Sequence, residues 1–95
     1  GTLKQIASEI PKDIDWILRV DGHTDERPIS TAQFPSNWEL SAARAISVVK
    51  FLVRQGISPD RLVAAGFGQF QPIDDGQDEI AYLRNRRIEF KLDQR

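Results

Sequence analysis

Ser36-Asn37-Trp38-Glu39-Leu40-Ser41-Ala42-Ala43-Arg44-Ala45-Ile46-Ser47-Val48-Val49-Lys50-Phe51-Leu52-Val53-Arg54 is the stretch that decides the fold. Ser36 followed three residues later by Glu39 matches a capping box, in which the two side chains satisfy backbone N–H groups that a helix start leaves free. Ala45, Val48, Val49 and Leu52 recur at i, i+3, i+4 and i+7, the stripe of a helix with one face on a core. Arg54 falls in the last turn and Gly56 just beyond it. A cation there opposes the negative helix end, and glycine accepts the left-handed backbone of a helix stop. Trp38 reads as a core residue in preference to a pocket wall.

On the N-terminal side, Gly22 to Pro35 is a polar, proline-punctuated loop, preceded by Trp16-Ile17-Leu18-Arg19-Val20. That run is rich in strand-favouring side chains and too apolar for a half-exposed strand, which predicts a central strand covered on both faces. On the C-terminal side, Ser58-Pro59-Asp60 reads as a turn and Leu62-Val63-Ala64-Ala65 as a short strand, ended by Gly66 and Gly68. Strand, helix and strand in that order predict a right-handed crossover with the two strands parallel.

Leu3, Ile6, Ala7 and Ile10 form another helical stripe, ended by Pro11, which disfavours a helical residue before it. Gln71 to Gln77 reads as a loop turning at Asp75-Gly76, and Asp78 as the cap of a short helix through Leu83. Arg87 to Leu92 alternates, with Ile88, Phe90 and Leu92 on the core face and Glu89 and Lys91 on the other. The order α-β-α-β-α-β predicts an α/β (α+β) domain, one sheet with helices packed mainly on one face.

The 95 residues suffice for one domain, residues 1–95, with a single core. With no cysteine, disulfides, cysteine metal sites and cysteine nucleophiles are excluded. Thirteen basic and 14 acidic side chains leave a net charge of −1. That balance argues against nucleic acid, which is bound by neutralising phosphates, and against a polybasic membrane-surface binder. No apolar run reaches membrane-spanning length and no signal peptide is present. The chain starts at Gly1 inside the first helical stripe. This reads as a domain of a longer protein, with any membrane anchor lying upstream.

Catalytic patterns are weak. His23, the single histidine, sits in Gly22-His23-Thr24-Asp25 without a nucleophile-elbow motif. Zinc catalysis usually takes three protein ligands, and one histidine without cysteine would need two carboxylates, so no metal is expected. Carboxylate pairs such as Asp25 with Glu26 or Glu39 arise by chance among 14 acidic residues. Gly66-Phe67-Gly68 begins like a dinucleotide fingerprint, but Gln71 stands where the third glycine belongs. No cofactor is expected. Arg84-Asn85-Arg86-Arg87 is either a solvated helix end or a carboxylate-recognising cluster, since arginine presents a planar fork of donors.

Asp25 lies just past the strand end, in the crevice where α/β ligands bind, and the helix opening near Asn37 offers free N–H groups. Arg44 sits two turns into that helix. An anion on one rim and a cation on the other suit a zwitterion. Equally, Asp25 and Arg44 could simply pair with each other.

Thr24-Asp25, Asn37, Leu40-Ser41-x-x-Arg44-Ala45-x-x-Val48-x-x-x-Leu52, Gly66-x-Gly68, Gln71-Pro72 and Asn85-Arg86-Arg87 follow one another at fixed spacing. This pattern resembles the OmpA-like (OmpA/MotB C-terminal) family and covers the chain from about Val20 onward. The resemblance implies a βαβαβαβ fold with a mixed sheet and non-catalytic binding of peptidoglycan through the diaminopimelate of its stem peptide. By motif position, Asp25 would take the ammonium and Arg44 the carboxylate, while Thr24, Asn37, Leu40, Asn85, Arg86 and Arg87 would line the pocket. It further implies a periplasmic domain of a membrane-anchored envelope protein, acting as a homodimer. The connector from Glu26 to Glu39, with Arg27-Pro28-Ile29 and Phe34-Pro35-Ser36-Asn37-Trp38, resembles the MotB-like branch. The family's first strand has no counterpart before the opening helical stripe. An unpaired central strand would then expose a hydrogen-bonding edge and favour association. A module that keeps this fold but binds an envelope protein instead of the wall is the alternative.

Overall fold

The computed structural model describes residues 15–94. The expected helix at Leu3 to Ile10, and Pro11 that would end it, lie outside the described residues. Three strands, β1 (Trp16–His23), β2 (Leu62–Gly66) and β3 (Arg87–Gln94), form a sheet in the order β2-β1-β3. Two α-helices, α1 (Asn37–Arg54) and α2 (Glu79–Asn85), and a short 3₁₀ turn (Pro59–Arg61) connect them. The fold is mixed α+β, as the sequence implies.

α1 starts and stops as its sequence dictates. Ser36 is the N-cap, and its Oγ accepts the Trp38 N–H at 3.2 Å. Glu39 bonds the Ser36 hydroxyl, a variant of the capping box that keeps the acid at the positive helix end. At the other end, the Gly56 N–H bonds the Val53 carbonyl at 3.0 Å and the Ile57 N–H bonds the Leu52 carbonyl at 3.2 Å. This is a Schellman closure, with Gly56 at φ +105° where a side chain would be strained and Ile57 buried behind it.

α1 closes over one face of the sheet. Trp16, Leu18 and Val20 of β1 meet Ala45 and Leu52, with Val48, Val49, Ile88 and Phe90 packed around them. β1 and β2 are parallel, with Leu18 opposite Leu62 and Gly22 opposite Gly66. β3 runs antiparallel on the other side, with Gly22 opposite Ile88 and Trp16 opposite Gln94.

Four expectations change. First, β1 continues through His23 instead of ending at Val20. Gly22 belongs to the strand by pairing with Gly66 and Ile88, and a Cβ there would stand 2.1 Å from the Ser41 carbonyl oxygen, so glycine lets the α1 backbone rest on the strand. Second, β1 is central, but its two faces are buried by different means: the reverse face carries Arg19, Asp21 and His23 instead of a second apolar layer. Third, the central strand is paired on both sides, so among the described residues the open edges are the outer ones of β2 and β3. Fourth, Leu92 shares the face of Ile88 and Phe90 but is 55% exposed, because α1 packs over β1 and β2 and leaves the far end of β3 uncovered. α2 begins at the Asp78 cap, whose carboxylate accepts the Ala81 N–H at 2.9 Å, and runs two residues past Leu83.

Candidate functional site

The site forms where β1 ends and α1 begins. Beyond the sheet, the Phe67 N–H bonds the Gly22 carbonyl at 3.0 Å and the Thr24 N–H bonds the Gly68 carbonyl at 2.9 Å, tying the loops after β1 and β2 together. Gly68 turns at φ +62°, and its N–H donates to Ser41 Oγ at 2.9 Å. From the first turn of α1, Asn37 Nδ2 donates to Gln69 Oε1 at 2.8 Å and to the Arg27 carbonyl at 3.1 Å. Thr24, Asp25, Asn37 and Ser41 are all buried polar residues, and each has partners.

Asp25 is the hub, 6% exposed. Its Oδ1 accepts the Arg27 backbone N–H at 2.9 Å. Its Oδ2 accepts Arg27 Nη2 and Arg86 Nη1, each at 2.8 Å, and Arg27 Nε at 3.3 Å. Both guanidiniums reach on to Glu79 at 3.3 Å, closing a four-residue ring of two cations and two anions. The Arg27 guanidinium lies 4.4 Å over the Tyr82 ring, and the Tyr82 hydroxyl donates to Glu26 at 3.3 Å. Burial pushes the Asp25 carboxyl up, but the Arg27 hydrogen bonds and charge, with the Arg86 bond, outweigh it and hold it below its ordinary value. Asp25 is therefore ionised except in acid.

The other residues singled out in the sequence separate. Arg44 follows Asn37 by seven residues on the same stripe of α1, half-buried and without a hydrogen bond or ion pair among the described residues. Asp25 thus pairs with Arg27 and Arg86, not with Arg44. Leu40 is half-buried on α1. Asn85 is buried and occupied: its Oδ1 accepts the Ile73 and Asp74 N–H groups at 2.9 and 3.1 Å, and its Nδ2 donates to the Asp74 carbonyl at 2.9 Å. It holds the 71–74 loop. Arg86 joins the Asp25 ring, whereas Arg87 turns to the reverse face of the sheet, bonding Glu89 and the Gln71 carbonyl.

Trp38 is not a core residue. It is 52% exposed and stacks on Phe70, itself 57% exposed, with ring centroids 5.0 Å apart. It stands on the same stripe of α1 as Ser41 and Ala45, but one turn before Ser41, which already rests on Gly22 near the end of β1, so Trp38 lies past the sheet against Gly68 and Phe70. The sequence reading missed Arg27, Glu79 and Tyr82. Arg27 had a local signal, a cation two residues past an acid in a loop, whereas Glu79 and Tyr82 reach the site only through the fold.

Chemically, the site offers a buried carboxylate for a cation and guanidiniums for an anion. Among the described residues, no group of three or more His, Cys, Asp or Glu side chains could hold a metal ion. No helix among them is long and apolar enough to cross a membrane.

The model of the OmpA family matches residues 1–86. A Bacillus subtilis (strain 168) protein named YtxE is 42% identical over 94 residues, 95% of this chain and 37% of the relative. The peptidoglycan-associated lipoprotein of Pseudomonas aeruginosa is 40% identical over 72 residues, 76% of this chain and 40% of the lipoprotein. Among solved structures, the periplasmic domain of Helicobacter pylori MotB superposes with a TM-score of 0.85 at 29% identity, covering 97% of this chain and 57% of that one. The chain therefore spans about two-fifths of the length of these two sequence relatives.

Proposed function

The chain belongs to the OmpA family, and from that premise we propose that it binds peptidoglycan non-covalently and so anchors a membrane protein to the cell wall. Diaminopimelate of the stem peptide is the ligand, its ammonium on Asp25 and its free carboxylate on Arg44. The reading is of a binding module without turnover, working in the periplasm. It is supported by the names of its relatives, one a peptidoglycan-associated lipoprotein and one a periplasmic domain of a motility protein.

The observation that carries the reading is the state of the two charges. Asp25 is buried and held ionised at the mouth between β1 and α1. Arg44, on the same helix stripe as Asn37, has no partner among the described residues. A half-buried guanidinium left unpaired is a ready receptor for a carboxylate. Two or three charge-assisted bonds of about 1.5–3 kcal/mol each, less the ordering of a flexible peptide, give monovalent affinity on the order of micromolar to millimolar. Dimerisation of the parent protein on a polymeric wall compensates through multivalency. Sedimentation equilibrium of the parent protein checks that part.

Calorimetric titration with a diaminopimelate stem peptide, beside its lysine-containing counterpart, tests the site. Only the first carries the extra carboxylate. Binding to the first alone is expected, weakened about tenfold to a hundredfold or lost in Asp25→Asn and Arg44→Ala. Full affinity in both variants overturns the assignment. Absence of binding to either peptide by the folded wild type turns the reading towards a protein partner.

A further inference from the structure

We propose that Arg27 is a ligand-binding residue of this site, exchanging its hold on Asp25 for a carboxylate of the bound peptide. The inference rests on the reading above, in which Asp25 receives an ammonium group.

The ring around Asp25 forces the question. A carboxylate oxygen has two lone pairs. Asp25 Oδ2 already accepts from Arg27 Nη2, Arg27 Nε and Arg86 Nη1. Among the described residues Oδ1 holds only the Arg27 backbone N–H, but an ammonium on Oδ2 meets two guanidiniums of its own sign and takes that oxygen only as one of them gives way.

Arg27 is the one placed to move. Its side chain is 46% exposed, against 31% for Arg86. It stands in the loop between β1 and α1, whereas Arg86 is held between the end of α2 and the start of β3. Leaving Asp25 does not strand it, because Nη1 reaches Glu79 and the guanidinium lies over Tyr82. Nor does its departure release Asp25, since the Arg27 backbone N–H stays on Oδ1 and Arg86 stays on Oδ2.

The exchange is neutral. An ammonium replaces a guanidinium at Asp25, one positive charge for another, and the freed planar fork meets a carboxylate with matching geometry. A zwitterionic amino-acid end carries both groups on one carbon and can insert into the Asp25–Arg27 pair. One carboxylate has about four lone-pair sites, enough for Arg27 and Arg44 together. A lone ammonium, such as a lysine side chain, displaces Arg27 without giving it a new partner. Arg27 therefore acts as a selector for an ammonium that has a carboxylate beside it.

The test compares two probes on the same chain: the diaminopimelate stem peptide with its free carboxylate, and that peptide with the carboxylate amidated. The wild type prefers the free acid by about tenfold or more, the worth of a charge-assisted contact. In Arg27→Ala the amide binds more tightly, because Asp25 is less obstructed, while the preference for the acid falls about tenfold. Arg27→Gln, which keeps a stem over Tyr82 without the charge, gives the same loss, and thermal melting of both variants confirms that the fold is kept. If both probes shift by one common factor in Arg27→Ala, Arg27 is only a competitor or a support, and the proposal falls while the Asp25–Arg44 site stands. A preference lost in Arg44→Ala but intact in Arg27→Ala has the same meaning. A wild type that binds neither probe removes the site reading itself and this proposal with it.

Discussion

On the helix side of the sheet, Trp16, Leu18 and Val20 are sealed by α1. On the reverse side, the alternate residues of the same strand include Asp21 at 1% and His23 at 5% exposed, buried almost as deeply. The first face is buried by apolar packing. The second is buried by charge and ring contacts: Arg19 forks onto Asp21 at 2.7 and 3.1 Å, Arg87 and Lys91 hold Glu89, and His23 stacks on Phe67 at 5.0 Å. Register explains why these pairs run along the strands. Arg19 stands opposite Lys91 and Asp21 opposite Glu89, like charges face to face. Such oppositions are unfavourable, and bonding to the i+2 neighbour relieves them. Burial in this molecule therefore does not imply an apolar environment, and the two faces should respond differently to substitution and to pH.

The largest effect is expected on the helix side. In Gly22→Ala the new Cβ meets the Ser41 carbonyl oxygen at 2.1 Å, which backbone cannot yield without lifting α1 from the strand. A loss of about 3 kcal/mol or more, as for severe overpacking, should appear in urea unfolding. An unchanged midpoint breaks the picture of α1 resting directly on β1.

Acid should act through the reverse face. Burial holds His23 below its ordinary value of 6.5, helped by the charges of Arg87 and Lys91 and opposed by those of Glu89 and Asp21. Its Nδ1 is buried with no hydrogen-bond partner among the described residues, and Nε2 lies 3.7 Å from Glu89. Because the folded pKa is depressed, the unfolded chain takes up this proton first. Stability from His23 is thus fully present above about pH 6.5 and declines as pH falls towards the folded value. Urea midpoints of the wild type should fall from about pH 7 to pH 5, with a flatter profile in His23→Gln. Equal slopes in the two proteins place the acid sensitivity elsewhere, with Asp25 the next group to examine at lower pH.

The smallest effect belongs to the edge. Leu92→Ser, at a position 55% exposed on the helix side of β3, should change stability by no more than about 0.5 kcal/mol. A loss nearer 2 kcal/mol would mean that Leu92 is covered in solution, and would sharpen the contrast between the sealed centre of that face and its rim.

The ring at Asp25 combines both manners of burial. Its Asp25–Arg27 pair is local, two residues apart, like Arg19 with Asp21. Its other members come from 52 to 61 residues away. Local reach also explains what was legible in advance. The 3.6-residue stripe, the Ser36 cap and the Gly56 stop concern neighbours in the chain, and each places α1 correctly. Asp25 could be put at a strand end for the same reason. Trp38 misled because it lies on the buried stripe itself, three residues before Ser41 and seven before Ala45, whereas the first turn of α1 overhangs the end of the sheet and leaves it against Phe70.

By itself, then, the sequence determined the β-α-β-α-β order of the described residues, the parallel β1–α1–β2 unit, both helix caps and the family. The order, the parallel unit and the caps follow from periodicity, backbone preference and spacing within a few residues, whereas the family follows from resemblance to a motif pattern that runs from about Val20 onward. Tertiary structure alone decided that Asn85 clamps a loop, that Arg86 reaches Asp25 while Arg87 turns to the reverse face, and that Glu79 joins the ring. Those outcomes join residues 11 to 61 positions apart, which no local pattern relates. Alternation in β3 puts Arg87 on the face of Glu89 and Lys91, but Arg86 precedes the strand at the end of α2, and only the fold carries it to Asp25.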